Sequence, residues 1–145
     1  MFRHLLIATD GSPLSEDAAR KAIDLAKSLG ARVTALTASL PYAAFTADYV
    51  MVSDTEDTYN RECRSRAEQY LAVIKKAAAA AGVACDEVHT FNEHAYAAIL
   101  DITRQRGCDL ICMASHGRSG LAALVVGSVT TKVLTHSRIP VLAWR

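Results

Sequence analysis

The sequence predicts an α/β fold: a single-domain, open, doubly wound parallel sheet of five strands with helices on both faces, in the expected strand order 3-2-1-4-5. Three observations carry that prediction. Nearly continuous apolar runs of strand length recur along the chain, stretches of helical spacing separate them, and glycines punctuate the ends of those stretches. Each crossover has room for a helix, and parallel strands joined through helices wind right-handed. With 145 residues, 51% of them hydrophobic, the chain has material for one sizeable core, so one domain over 1–145 is expected.

His4 to Thr9 (HLLIAT) is almost wholly apolar, as a strand covered on both faces must be. Asp10-Gly11-Ser12-Pro13 ends it. Ser12 is suited to cap a helix and Pro13 to open it, with Glu16 and Asp17 near the positive end of the dipole. Ala18, Ala19, Ala22, Leu25, Ala26 and Leu29 then recur at helical spacing until Gly30. Val33 to Ala38 (VTALTA) is the second strand, closed by Pro41. Tyr42 to about Thr55 has no clear period and reads as a mobile connection. Its Asp48 and Asp54, with Glu56 and Asp57, read as a solvated face, since spacing alone shows no convergence of oxygens on a cation.

A long helix is expected from about Thr58 to Ala81, with Cys63, Ala67, Tyr70, Leu71, Ile74, Ala77, Ala78 and Ala81 on one stripe and Gly82 as its cap. Val83 to Phe91 alternates more, which places the third strand nearer a sheet edge. The next helix carries Ala95, Ala98, Ile99 and Ile102 on its apolar face and stops at Gly107. The fourth strand is Leu110 to Ala114, a further helix runs from Ser128 to about Thr135, and Ile139 to Trp144 is the last strand.

The stretch from Cys108 to Thr130 (CDLICMASHGRSGLAALVVGSVT) joins a buried strand to a helix through glycines at 117, 120 and 127. Glycines let backbone N–H groups approach phosphate oxygens, and the first N–H groups of a helix lack internal partners, so such a junction can hold an anion. Equally, Gly117 and Gly120 can simply turn the chain and Ser128 simply cap a helix.

Composition narrows the function classes. Sixteen basic residues against 15 acidic leave a formal charge of +1, so no nucleic-acid or membrane surface built on bulk charge is expected, and any anion must be held locally. The amino-terminal residues lack the pattern of a secretory signal and no run reaches membrane-spanning length, which makes the cytoplasm the expected location. Cysteines 63, 85, 108 and 112 form no CxxC, which argues against zinc, and Cys108 and Cys112 fall in or beside a buried strand as small apolar residues.

In an open doubly wound sheet, ligands bind beyond the carboxyl ends of strands where the order reverses, here the first and fourth. Those ends carry Thr9-Asp10-Gly11 and Met113-Ala114-Ser115-His116-Gly117. A carboxylate beside phosphates repels them unless it meets a divalent metal or a ribose hydroxyl, so Asp10 favours a nucleoside phosphate over bare phosphate. It can also serve only an Asx-type turn with Gly11. Arg118 is either a partner for an outer phosphate or a solvated loop residue. His116 is either a base or phosphate donor, or a hydrogen-bonded loop residue. No GxxxxGK[ST], GxGxxG or Gly-x-Ser-x-Gly occurs, so no catalytic residues are identified.

Taken together, ATDGS in the first turn, CDLICMASHGRSGL, GSVTTKVL and the closing HSRIPVLAW resemble the universal stress protein family, in order and over essentially the whole chain. The resemblance implies a five-stranded α/β fold, usually dimeric through the last strand (139–144 here), in a cytoplasmic protein tied to survival under stress. Part of that family binds ATP through Gly-x2-Gly-x9-Gly-[Ser/Thr]. Here the spacing reads Ala114, Gly117, Gly127-Ser128, with the first glycine replaced. An alanine in that place is tolerable with β dihedrals and strained at positive φ.

Carried over by position, the resemblance implies Thr9 and Asp10 at the nucleoside, with Ala38 and Met113 at the base. It implies Gly117, Gly127, Ser128 and Val129 at the phosphates, with Thr130 close behind. The implied ligand is ATP or AMP, with Mg2+ or Mn2+ reaching Asp10 through the nucleotide. Three functional readings follow: a nucleotide-binding regulatory module with an unknown protein partner, a dimeric interaction protein without nucleotide, and a slow ATPase with Asp10 holding magnesium.

Overall fold

The computed structural model describes residues 1–47, 55–117 and 126–145. In chain order the elements are β1 (His4–Ala8), α1 (Pro13–Leu29), β2 (Arg32–Ser39), α2 (Tyr42–Ala47), α3 (Glu56–Ala81), β3 (Cys85–Phe91), α4 (Ala95–Arg106), β4 (Leu110–Ala114), α5 (Ser128–His136) and β5 (Val141–Trp144). The strands form one parallel sheet, as the apolar runs predict, and its order is the expected β3-β2-β1-β4-β5, with β3 at one edge.

The near-continuous apolar strands are explained by burial on both faces. Leu5 and Ile7 of β1 point with Val33, Ala35, Leu110 and Cys112 into a core closed by α1 and α3. The intervening Leu6 points with Leu36, Ile111 and Met113 toward α4 and α5, where Ile99 and Val133 meet it. The central strands β1, β2 and β4 thus have two inward faces, and alternation is lost in them.

Local signals set the helix ends. Ser12 accepts the Ser15 N–H at 3.2 Å and Pro13 opens α1, while Thr55 accepts the Thr58 N–H at 3.2 Å and caps α3. Gly30, Gly82 and Gly107 end their helices in the left-handed conformation that a side chain would resist.

Several expectations need correction. The segment expected to be a mobile connection begins with a helix, α2, because Tyr42 and Phe45 pack their rings on Tyr59 at centroid distances of 5.6 and 4.7 Å. That contact is tertiary and leaves no trace in local periodicity. Asp48 and Asp54 lie outside the described residues, whereas Glu56 and Asp57 sit exposed in the first turn of α3, favourable to its dipole. Leu29, placed on the apolar face of α1, is 38% exposed, and Ile23 is buried in its stead. β3 begins at Cys85 rather than Val83, since the Val83 N–H donates to the Ala78 carbonyl in closing α3.

Candidate functional site

The chain leaves β1 toward β2 on one side and β4 toward β5 on the other, so a crevice forms where β1 and β4 end side by side. A cleft of about 750 Å³ opens there.

One wall is the turn after β1. Ser15 Oγ donates to the Ser12 carbonyl at 2.9 Å, so in its 3.1 Å contact with Thr9 Oγ1 it is the threonine that donates, a hydroxyl having one hydrogen. Thr9 Oγ1 in turn accepts the Gly11 N–H at 3.1 Å. This directed relay, with the Thr37 hydroxyl donating to the Thr9 carbonyl at 2.7 Å, fixes the turn on the sheet. Asp10 makes the Asx turn, its Oδ1 accepting the Ser12 N–H at 3.0 Å, while Oδ2 lies against Gly117 across the cleft.

The opposite wall runs from the end of β4 to the start of α5. No residue other than glycine has positive φ among the described residues, so Ala114 sits in its strand without strain. Its carbonyl accepts the Thr130 hydroxyl at 3.0 Å, which ties α5 to the strand and commits that buried hydroxyl to structure. A Cβ on Gly117 would collide with the Asp10 carboxylate, and one on Gly127 would come within 3.1 Å of His116 Cα. Gly127 differs from expectation in one respect: its N–H donates to the Ser115 carbonyl at 2.7 Å, so the glycine contributes closeness of approach rather than a donor.

The first backbone bond of α5 runs from Thr131 N–H to the Gly127 carbonyl, and Gly127 has no side chain to cap the turn. The N–H groups of Ser128, Val129 and Thr130 therefore have no intrahelical carbonyl to receive them. They stand at the positive end of a helix dipole on the cleft wall. His116 meets Ser115 Oγ through Nδ1 at 3.1 Å, which supports its reading as a hydrogen-bonded loop residue. Arg118 lies outside the described residues.

The remaining flank is apolar. Ala38 and Met113 line it, together with Ala8, Leu36, Ala95, Ile99, Val126 and Val129. Sequence reasoning missed Leu36, Ala95 and Ile99. Leu36 shares a strand face with Ala38 by the two-residue period, and the first turns of α4 leave β3 beside the crevice, so topology could have found all three. Ser15 was missed as well, and its signal was the alcohol one helical turn beyond the cap.

Among the described residues no three His, Cys, Asp or Glu side chains converge as a metal site. Burial pushes the Cys108 thiol up to about 11 and Cys112 up to about 12, so both remain protonated packing groups. No helix among the described residues is long and apolar enough to cross a membrane.

The universal stress protein family matches residues 1–145. Universal stress protein YxiE of Bacillus subtilis (strain 168) is 31% identical over 154 aligned residues, covering 100% of both chains. Of solved structures, hypothetical protein MJ0577 superposes with a TM-score of 0.84 at 24% identity, over 99% of this chain and 96% of that one. A universal stress protein in complex with cAMP gives 0.69 at 23% identity, over 98% and 95% of the two chains. The Archaeoglobus fulgidus universal stress protein in complex with dAMP gives 0.65 at 19%, over 100% and 98%. At these identities the superpositions bear on the fold alone. The match along the full length, together with the Bacillus relative, shows that the chain belongs to the universal stress protein family.

Proposed function

We propose that this chain binds an adenine nucleotide, ATP or AMP, between the carboxyl ends of β1 and β4, and that it acts as a regulatory module in the stress response. One observation carries this reading: the uncapped start of α5 and Asp10 line the same cleft, where Gly117 lies so close to the Asp10 carboxylate that a side chain there would collide with it. That arrangement suits a ligand with one anionic end and one hydroxyl-bearing middle. The volume is in the range of nucleotide-sized pockets, and the apolar flank offers a base the surface it needs. The cAMP and dAMP complexes of structural neighbours support the same class of ligand.

In this reading the base lies between Ala38 and Met113, and Asp10 with Thr9 faces the ribose. The phosphates take the N–H groups of Ser128, Val129 and Thr130, the Ser128 hydroxyl and the Gly117 backbone. Arg118, outside the described residues, is proposed as a partner for an outer phosphate. A Mg2+ or Mn2+ ion would approach Asp10 with the nucleotide, drawing its other ligands from phosphate and water. The ligand regulates through unequal affinity for two conformations of the protein. The edge position of β5 and its uncharged sequence Val141-Leu142-Ala143-Trp144 support pairing of two copies along that strand, in a cytoplasmic homodimer.

Titration calorimetry tests the site. Wild-type protein is expected to bind ATP or AMP, and Gly127→Trp, which fills the approach beside His116, is expected to lose that binding while retaining a cooperative melt. Absence of both binding heat and thermal stabilisation of the wild type at millimolar nucleotide would remove the proposal, since a ligand of the native state must raise its stability.

A further inference from the structure

We infer that Tyr70, on α3 and outside the cleft, is a positioning residue for the nucleotide site, acting through Gly11 on Asp10. This rests on the nucleotide reading above. Gly11 has φ +77°, and a Cβ built on it would run into Cδ1, Cε1 and Cζ of the Tyr70 ring. The tyrosine therefore lies flat on the main chain of the one residue between Asp10 and Ser12. Those two residues are joined by the Asx bond that orients the carboxylate.

The order of contacts is short. Tyr70 covers Gly11, the Gly11 N–H is held by Thr9 Oγ1, and the Asp10 carboxylate leaves the same turn to meet Gly117. No residue of α3 lines the cleft among the described residues, so the helix acts on the site only at second hand. Its neighbours Leu71 and Ile74 are buried against α1 and the sheet, which gives the ring a fixed base. The three atoms nearest that Cβ are ring carbons, so the ring face supplies this support to Gly11. A left-handed glycine can reach many conformations, and a flat ring on one side removes most of them.

A double-mutant cycle tests this. Tyr70→Leu is expected to weaken Mg-ATP binding about five- to tenfold, while Tyr70→Phe stays within about twofold of wild type. In an Asp10→Asn background, Tyr70→Leu is expected to cost no more than about twofold, because the charge it aims is gone. A purely structural role would lower affinity equally in both backgrounds, and that result, or wild-type affinity in a folded Tyr70→Leu protein, overturns the inference. A wild type that binds no nucleotide overturns the functional reading itself and the inference with it.

One measurement needs no variant. In the wild type the ring current of Tyr70 is expected to move a Gly11 Hα resonance upfield, and Mg-ATP to shift the Gly11 and Tyr70 ring signals together. A Gly11 Hα at its ordinary position, or Tyr70 signals that stay fixed while Gly11 moves, also overturns it.

Discussion

At the amino end of the central strands, Asp109 accepts the N–H groups of Arg3 and His4 at 2.8 and 3.0 Å, and its own N–H returns to the His4 carbonyl. Beneath them the His4 ring, 4% exposed, meets Thr34 Oγ1 through Nε2 at 2.7 Å. At the carboxyl end the same two strands finish in Asp10 and in the glycines leading to α5, whose first residues line a cleft and whose start has no side-chain cap. The amino end uses the Asp109 carboxylate, the strand-end N–H groups and His4 Nε2 to close the sheet on itself, leaving His4 Nδ1 buried without a hydrogen-bond partner. At the carboxyl end the first residues of α5 instead border a cleft of about 750 Å³, and this contrast is what supports placing the proposed ligand at that end of the sheet.

The contrast can be broken most forcefully at Gly11. Gly11→Ala puts a side chain at φ +77° and into the Tyr70 ring, so a loss of about 2–4 kcal/mol by denaturant titration is expected, with nucleotide affinity falling as well. Undiminished affinity in that variant would detach the turn from the site. Next in size is Asp109→Ala, which leaves two strand-end N–H groups without their acceptor and is expected to cost about 1–2 kcal/mol. Its nucleotide affinity, measured where the protein is folded, is expected to equal that of wild type, and a drop would show the two ends to be coupled.

The smallest effect is a pH dependence of the amino end. Burial, and after it the nearby Arg32, holds the His4 imidazole below its ordinary 6.5 despite the opposing influence of Asp109, Asp86 and the Arg106 carbonyl. The folded state thus favours neutral His4. Its stabilising contribution is complete above pH 6.5 and is lost as pH falls through the lower folded value. Burial pushes the Asp109 carboxyl up, but the N–H donors of Arg3 and His4 outweigh it and hold the group below 3.8, so its contribution disappears only in stronger acid. Denaturant titrations between pH 7.5 and 5 are expected to show declining stability, with a shallower slope in His4→Gln. A residual slope is expected from His89, which burial and Arg64 also hold below 6.5. Identical slopes in wild type and variant would rule His4 out as a source.

Much of this architecture is legible in the sequence because the signals are local. Apolar runs mark strands covered on both faces, and Ser12, Thr55, Gly30, Gly82 and Gly107 act within one helical turn of themselves. What escapes is what depends on distant contacts. α2 exists because Tyr42 and Phe45 find Tyr59, the Gly127 N–H is taken by Ser115, and Ala95 and Ile99 reach the cleft only through the path of α4. For Asp10 the sequence offers two readings, of which the Asx turn is present through Oδ1, with Oδ2 lying toward Gly117.

Backbone amide shifts recorded while ATP is added test the central claim most directly, because both ends of the sheet report in one experiment. The account predicts that Gly117, Ser128 and Val129 shift in a saturable manner while Arg3, His4 and Asp109 stay in place. Saturable shifts confined to the amino end, or none at the start of α5, would contradict it.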